Sequence, residues 1–136
     1  MTFDKLQEDA IIPQYQTIGS AGLDLHSILA TTILPGERQL VGTGLRVNLP
    51  NGTEGQVRSR SGLAAKHGII VLNAPGTIDE DYQGEIKVIL YNTGDSTFSI
   101  EKGDRIAQLV VAQVYKLAGH TLENIREDKG FGSTGL

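Results

Sequence analysis

The sequence predicts an all-β domain, a sandwich or jelly roll with one short helix. Short stretches of alternating apolar and polar residues recur along the chain, and turn signals separate them. Helix signals are weak and no internal repeat is visible. The 136 residues fit one domain with one core, and with no Trp and only 3 Phe that core must consist mainly of Ile, Leu and Val.

The predicted strands follow from this alternation and from the turns between them. They cover residues 31–34, 45–49, a strand beginning at Val57, 69–71, 85–91, 98–100 and 105–114. Pro35-Gly36 turns the chain after the first of them, and Asn51-Gly52 is a pair favoured in two-residue hairpins. Residues 105–114 are almost continuously apolar, which predicts a central strand covered on both faces.

The helix prediction covers residues 61–66, with Ser61 placed to cap its N-terminus. Strand and helix patterns fade from about His120 onward. The last segment, residues 129–136, is made of glycines and hydroxyl residues around one aromatic residue, so by itself it is typical of a disordered tail.

Composition excludes several classes of protein. The net charge is −4, from 12 Lys+Arg and 16 Asp+Glu, which argues against a non-specific nucleic-acid binder. Cysteine is absent, so disulfides and thiolate metal sites are excluded. No apolar run approaches the ~20 residues of a membrane helix, and the first residues lack a signal-peptide core. We therefore expect a soluble cytoplasmic protein without a membrane or nucleic-acid partner.

Three segments carry residues suited to chemistry. Residues 58–62 offer two guanidinium groups, hydroxyls and a predicted helix N-terminus, which favours either an anion site or a capped helix with two solvated arginines. Asn73, in the loop 73–79, offers one donor edge and one acceptor edge, which suit uracil, although a turn-forming Asn is the simpler interpretation. The acidic run 79–81 contains a candidate base for water, and Tyr82 is either a platform for a sugar or an ordinary strand-edge aromatic.

The C-terminal segment has a second interpretation, as a lid over a nucleotide. Gly130, Gly132 and Gly135 allow backbone amides to approach phosphate oxygens, Ser133 and Thr134 supply hydroxyls, and Phe131 can stack on a base. Arg126 supplies a cation for the outermost phosphate. The histidines His26, His67 and His120 lack metal-ligand spacing, and Mg²⁺ held mainly by phosphate oxygens needs no dedicated cage.

Together these segments resemble the five ordered motifs of the trimeric dUTP diphosphatase (dUTPase) family. The matches run from Ala21 to Gly135. In order they are Ala-Gly-Leu-Asp-Leu at 21–25, Arg-Ser-Gly-Leu-Ala at 60–64 with Lys-His-Gly-Ile at 66–69, Gly-Thr-Ile-Asp-Glu-Asp-Tyr-Gln-Gly at 76–84, Gly-Asp-Arg-Ile-Ala-Gln-Leu at 103–109, and Arg126 followed after four residues by Phe-Gly-Ser-Thr-Gly at 131–135. Five matches in order are far more specific than any single motif.

The resemblance implies hydrolysis of dUTP to dUMP and pyrophosphate, by attack of water on the α-phosphorus. This reaction keeps uracil out of DNA and supplies dUMP for thymidylate synthesis. The implied catalytic residues are Asp79, as the base, and Gln108, which helps to hold the water. Asp24 would touch the hydration shell of Mg²⁺ rather than the ion. The implied substrate-binding residues are Arg60, Ser61 and Gly62 for phosphate, Asn73, Thr77, Ile78 and Lys87 around uracil, Tyr82 for deoxyribose, and Arg126, Phe131, Gly132 and Ser133 in the lid.

The resemblance also implies a distorted jelly-roll subunit and a homotrimer with shared active sites. Residues 1–119 would form the β-barrel or jelly-roll domain, and residues 120–136 an arm that closes a site on neighbouring subunits. Two positions depart from the family pattern, Arg58 and the stretch 127–130 with Lys129. The alternatives are a dCTP deaminase or bifunctional relative with the same fold, a nucleotide-binding regulatory trimer, and a β-sandwich without catalytic function.

Overall fold

The fold is built from short strands, as a computed structural model shows for residues 1–122 and 130–131. These described residues contain one helix, α1 at Ser61–His67. The strands are β1 Thr2–Lys5, β2 Leu23–His26, β3 Thr31–Ile33, β4 Arg38–Gly42, β5 Leu45–Asn48, β6 Thr53–Arg58, β7 Ile69–Val71, β8 Gly76–Ile78, β9 Lys87–Asn92, β10 Phe98–Ile100 and β11 Arg105–Gln113. The prediction of an all-β fold with one short helix is confirmed.

The strands form four small antiparallel sheets, which together make a distorted jelly roll. Their strand orders are β1-β5, β10-β3, β2-β11-β6-β8 and β4-β9-β7. In the described part of the chain, none of these sheets closes into a barrel. Strand β11 lies in the middle of the largest sheet, where Leu109 is opposite Leu23 on one side and Val57 on the other.

One apolar core lies between the sheets, and aliphatic residues dominate it as the composition predicts. Leu25, Val41, Leu45 and Leu109 have no solvent-exposed surface. The alternation of β9 places Val88 and Leu90 in this core, together with Ile86 just before the strand. Burying each such side chain contributes roughly 1.5–3 kcal/mol, so the period-2 pattern determines which face of each strand points inward.

The central strand β11 is only partly covered, in contrast to the prediction. Ile106, Ala107 and Leu109 are buried, but residues 110–112 retain accessible surface. The apolar run therefore overstates how much of this strand lies in the core of a single chain.

The Asn51-Gly52 turn does not form the predicted hairpin. Gly52 has a positive φ of 79°, and the N–H of Thr53 donates to the carbonyl of Pro50 at 3.2 Å. However, β5 pairs with β1, whereas β6 pairs with β8 and β11. The turn therefore connects strands that belong to two different sheets. Strand β6 also begins at Thr53 rather than Val57, because residues 53–58 all pair with β11.

Helix α1 begins at Ser61 itself, so the prediction of a Ser61 cap is wrong. The N-cap is Arg60, which is extended with φ −85° and ψ 127°, and no side chain caps the helix. The helix ends at Gly68, whose left-handed φ of 66° lets its N–H donate to the carbonyl of Ala64. Arg60 and Ser61 thus stand at the junction between β6 and α1.

Four strands lie outside the predicted ones: β1, β2, β4 and β8. Strand β4 buries only Val41 among its first four residues, which hides any alternation. Strand β8 has three residues and lies inside the predicted loop 73–79, where it pairs with β6. Such short strands are defined by their partners more than by their own pattern. Among the residues described, no helix is long and apolar enough to cross a membrane.

Asn92 is fully buried, and its side chain satisfies three backbone groups. Its Nδ2 donates to the carbonyls of Ile33 and Ser96, each at 2.9 Å, and its Oδ1 accepts from the N–H of Gly94 at 2.9 Å. Asn92→Ala leaves these groups without partners, so we expect the free energy of unfolding to fall by roughly 2–4 kcal/mol. Urea denaturation of this variant and of the exposed control Gln39→Ala measures the difference. A loss at Asn92 no larger than that of the control would contradict the assignment.

Candidate active site

A cavity of about 180 Å³ opens beside the β6–β8 pair and the start of β9. It is smaller than the ~300–1,000 Å³ typical of pockets for drug-sized ligands. Such a volume suits a single ring and its attachment rather than a large ligand. The walls are Val57, Asn73, Gly76, Thr77, Ile78, Tyr82, residues 85–89, Gly130 and Phe131.

The β8 segment positions the amide of Asn73 in this cavity. Val57 of β6 pairs with Gly76, so β8 is fixed to the central sheet. A Cβ atom at Gly76 would lie 3.3 Å from Nδ2 of Asn73 and 3.4 Å from Cβ of Val57. Glycine at position 76 therefore leaves space for the amide, whose donor and acceptor edges can pair with a polar heterocycle.

Tyr82 forms an aromatic wall of the same cavity. Its hydroxyl donates a hydrogen bond of 2.8 Å to the carbonyl of Glu85, and its N–H donates to the carbonyl of Asp79 at 3.1 Å. The ring lies so close to Gly84 that a Cβ atom there would collide with it. These contacts hold the ring in one orientation, as a recognition surface requires.

Gly130 and Phe131 also line the cavity of their own chain. A Cβ atom at Gly130 would lie 3.3 Å from Cε1 of Tyr82, so the backbone of Gly130 lies close to the hydroxyl end of the ring. Phe131 is 59% exposed and has a positive φ of 55°. The remaining predicted lid residues, Arg126, Gly132 and Ser133, lie outside the described residues.

A second group of polar residues surrounds the start of β11. Nη1 of Arg105 lies 3.4 Å from Oδ2 of Asp24, and Nη1 of Arg60 donates to the carbonyl of Arg105 at 3.1 Å. The side chain of Asp24 is only 16% exposed. Two guanidinium groups and one carboxylate thus meet near the start of β11, an arrangement with net positive charge that can attract an anion.

Gln108 lies in the middle of this second group. It is opposite Asp24 on β2 and Arg58 on β6, and directly opposed side chains share a face of the sheet. Its Nε2 donates to the carbonyl of Ser59 at 3.1 Å, and its Oε1 lies against Gly22, where a Cβ atom would displace it. The guanidinium of Arg58 bonds to Oε1 of Gln56, at 3.1 Å from Nε and 2.6 Å from Nη2.

His26 adjoins these residues on β2. Burial lowers the pKa of its imidazole below the usual value, Arg105 and Arg60 also lower it, and Asp24 opposes them. Its Nδ1 is buried and has no hydrogen-bond partner within residues 1–122 and 130–131. His26 is therefore neutral near pH 7, so the positive charge of this group comes from the arginines.

Among the described residues, the walls of the cavity and the second group of polar residues do not overlap. The described walls of the cavity include Asn73, Thr77, Ile78, Tyr82, Lys87 and Phe131 from the predicted site, but none of Asp24, Arg60, Ser61, Gly62 or Gln108. Asp79 follows β8 and lines another depression, of about 420 Å³, with Thr53, Glu54, Glu80, Asp81, Val114 and Lys116. In the part of the chain that the structure describes, the linings of the cavity and of this depression have no residue in common.

Sequence reasoning missed two residues that the structure connects to these parts. Arg105 was recognised only as part of a motif, and its ion pair with Asp24 depends on the pairing of β11 with β2. Glu85 was recognised only as a strand start, yet it lines the cavity and accepts a hydrogen bond from Gly44. The sequence around Arg105 and Glu85 does not indicate which residue either side chain contacts.

Comparison with known proteins identifies the family. The dUTPase family model matches residues 8–135. The chain is 53% identical over 135 residues to the deoxyuridine 5'-triphosphate nucleotidohydrolase of Nautilia profundicola, with 96% of this chain and 95% of that protein covered. It is also 53% identical over 137 residues to the protein of the same name from Hydrogenobaculum sp., covering 97% and 95%.

Solved structures show the same fold. A variant dUTPase of phage phi11 of S. aureus, described with a coordinated structural Mg(II) ion, has a TM-score of 0.81 at 23% identity, covering 90% of this chain and 96% of that one. A variant dUTPase of Staphylococcus bacteriophage 80alpha, solved with dUpNHpp, has a TM-score of 0.81 at 24% identity, covering 99% and 98%. The expected jelly-roll fold and the expected family are both confirmed. The chain belongs to the dUTPase family.

Proposed function

We propose that this chain is a dUTP diphosphatase, which hydrolyses dUTP to dUMP and pyrophosphate. The observation that carries the proposal is the small cavity with the amide of Asn73 on one wall and the ring of Tyr82 on another. The similar enzymes from Nautilia profundicola and Hydrogenobaculum sp. support the same substrate. The reaction removes dUTP, from which uracil could enter DNA, and yields dUMP for thymidylate synthesis.

Uracil binds in the cavity beside β8. Asn73 offers a donor and an acceptor for the polar edge of the base, and the backbone of Thr77 and Ile78 follows the same wall. The volume of about 180 Å³ suits a single-ring base, and the turn around Ile78 is proposed to leave no room for the methyl group of thymine. Lys87 lies at its edge, and Phe131 covers the base.

Tyr82 selects deoxyribose over ribose. Its ring is fixed by the hydroxyl bond to the Glu85 carbonyl and by the close approach of Gly84. A flat ring held against C2′ excludes a 2′-hydroxyl, because that hydroxyl would lose its hydration without gaining a partner. Discrimination between the two sugars therefore depends on the orientation of this one ring.

The triphosphate binds to the second group of polar residues. Arg60 supplies charge, Ser61 and Gly62 supply a hydroxyl and backbone N–H groups at the start of α1, and Gln108 supplies an amide. The γ-phosphate is bound by three residues of the lid, Arg126, Gly132 and Ser133. Among the described residues none of these phosphate-binding candidates lines the base cavity, which is compatible with the proposed homotrimer, in which the sites are shared between subunits.

The residues around Asp24 fit Mg²⁺ bound mainly through the substrate. Asp24 is one carboxylate beside Arg105, and no cluster of three acidic or histidine ligands occurs among the described residues. Mg²⁺ typically keeps several waters and uses one or two carboxylates with phosphate oxygens, so Asp24 would contact its hydration shell. When bound, the ion offsets negative charge on the leaving pyrophosphate.

Asp79 orients and deprotonates the attacking water. It follows Ile78 directly, so the carboxylate is one residue away from the backbone that lines the base cavity. Gln108 helps to hold the water. The new bond joins the water oxygen to the α-phosphorus, the bond to the bridging oxygen breaks, and pyrophosphate leaves with that electron pair.

The test of this function is pyrophosphate release from dUTP, UTP, dTTP and dCTP, each with and without Mg²⁺. We expect release from dUTP with Mg²⁺ and at least about 100-fold less from the other nucleotides, because dCTP leaves polar groups of the site unpaired, whereas dTTP and UTP carry a methyl group and a 2′-hydroxyl that the site excludes. Ammonia release from dCTP, measured in parallel, distinguishes a deaminase. Equal turnover of UTP and dUTP, or ammonia as the product, would refute the proposal.

Asn73→Ala tests the assignment of the base-reading amide. Removing hydrogen bonds that a polar base needs raises KM for dUTP by about 10- to 100-fold, with a smaller effect on kcat. Steady-state kinetics of pyrophosphate release provide both constants. Asn51→Ala, which removes an exposed turn amide outside the cavity, is the matched control and should retain the KM of the parent. An unchanged KM in Asn73→Ala would place uracil elsewhere.

A further inference from the structure

Glu85 connects the cavity to the corner between β4 and β5. Its Oε2 accepts a hydrogen bond of 3.0 Å from the backbone N–H of Gly44, and the residue also lines the cavity. Gly44 is buried and has a positive φ of 70°, so this N–H cannot easily turn to solvent. The carboxylate therefore satisfies a buried donor and anchors a residue of the cavity wall.

The same corner holds the residue after Glu85 through three further hydrogen bonds. Oγ1 and the backbone N–H of Thr43 donate to the carbonyl of Ile86 at 2.7 and 3.2 Å, and the N–H of Ile86 donates to the carbonyl of Leu45 at 2.8 Å. Thr43, Leu45 and Ile86 are all buried. The β4–β5 corner is thus a rigid support for the segment 85–86.

Tyr82 connects the β4–β5 corner to the part of the cavity proposed to bind the substrate. The hydroxyl of Tyr82 donates to the backbone carbonyl of Glu85, so the orientation of the ring follows the position of that residue. A shift of Glu85 would move both the hydrogen-bond acceptor of the ring and one wall of the cavity.

Gly42 provides the space that the carboxylate occupies. A Cβ atom at position 42 would collide with Oε2 of Glu85, the atom that accepts from Gly44. Gly42 has no positive φ, so an alanine fits its backbone and acts only through this collision. The chain therefore offers a second way to break the contact without changing Glu85.

We propose that Glu85 is a positioning residue for deoxynucleotide selection, acting through the bond from Gly44 to its carboxylate. The proposal rests on the function proposed above. The anchored carboxylate fixes the backbone of residue 85, and this backbone fixes the ring of Tyr82. Loss of the contact lets the ring move, which weakens dUTP binding and admits ribose.

The test compares Glu85→Ala, Glu85→Gln and Gly42→Ala with the parent protein. Glu85→Ala removes a hydrogen bond to a charged group, so we expect KM for dUTP to rise about 10-fold. The preference for dUTP over UTP, measured as the ratio of the two kcat/KM values, should also fall about 10-fold. The kcat of Glu85→Ala stays within about threefold, because the reacting groups are untouched. Glu85→Gln retains parental values, because its amide oxygen accepts the same bond.

Gly42→Ala should change KM and selectivity as Glu85→Ala does. The double variant should show the same KM and selectivity as Glu85→Ala, because both substitutions act on one contact. Glu101→Ala, at an exposed glutamate outside the cavity, is the matched control. Parental KM and selectivity in Glu85→Ala or in Gly42→Ala would overturn the proposal, as would a Glu85→Gln variant that loses selectivity. A parent protein without dUTP preference instead refutes the proposed function itself.

Discussion

Asp79→Asn is expected to lower kcat for dUTP by about 10²- to 10⁴-fold, the range of general-base catalysis, while nucleotide binding is retained. Asparagine has the shape of aspartate and still accepts hydrogen bonds, but it cannot take a proton from water. The base cavity remains intact, since Asp79 is not among its walls. The change therefore separates catalysis from recognition.

The position of Asp79 explains why it is the favoured base among three neighbouring acids. Ile78 pairs with Gly55 of β6, so the residue that follows it leaves the sheet at a fixed point. The Oε1 atom of Glu80 accepts a hydrogen bond of 3.3 Å from the N–H of Gly52 and lies 4.0 Å from Nζ of Lys116. Asp79 is the acid closest in sequence to the backbone that we propose reads uracil.

Single-turnover hydrolysis measures the chemical step, and calorimetric titration with an α,β-imido analogue of dUTP measures affinity. Glu80→Gln is the matched control, because glutamine preserves the acceptor for Gly52 and we expect parental turnover. Near-normal kcat in Asp79→Asn would show that another group activates the water. A loss confined to Asp81→Asn would assign that role to Asp81.

Truncation after Arg126 is expected to leave the fold intact and to lower kcat/KM for dUTP by at least about 100-fold, comparable to the loss of one oxyanion-hole donor. The buried core extends from Ala10 to Leu109, and the last described strand ends at Gln113. Removing residues 127–136 therefore deletes none of the buried side chains identified in the core.

The catalytic loss follows from the contacts of the tail. Gly130 lies close to the ring of Tyr82 and Phe131 lines the cavity, which supports the proposal that the tail covers a bound base. Gly132 and Ser133 are proposed to hold the γ-phosphate. A cover over the nucleotide excludes water that would screen the charges of the phosphate site.

Thermal unfolding tests the first half of this expectation, and steady-state kinetics test the second. Removal of Leu136 alone is the control, because the matched motif ends at Gly135. Full activity after truncation would refute the role of the tail as a lid. A large fall in Tm would instead show that these residues support the fold.

The sequence by itself determined the strands that alternate over several residues and the aliphatic core behind them. Apolar positions such as 86, 88 and 90 repeat with the period of a strand, and burial of one face follows from that period. The order of the motifs likewise determined the family and the identities of the predicted site residues. The strands, the core and the motifs can be predicted from the sequence because each depends on neighbouring residues or on residue type alone.

Only the tertiary structure decided which strands pair and which side chains meet. Asn51-Gly52 is a residue pair favoured in hairpin turns. It nevertheless joins two sheets, because β5 pairs with β1 and β6 pairs with β11. The contacts of Arg105 with Asp24 and of Glu85 with Gly44 span 81 and 41 residues along the chain. Local patterns fix backbone conformation over a few residues, whereas such distant contacts depend on the pairing of whole strands around a shared core.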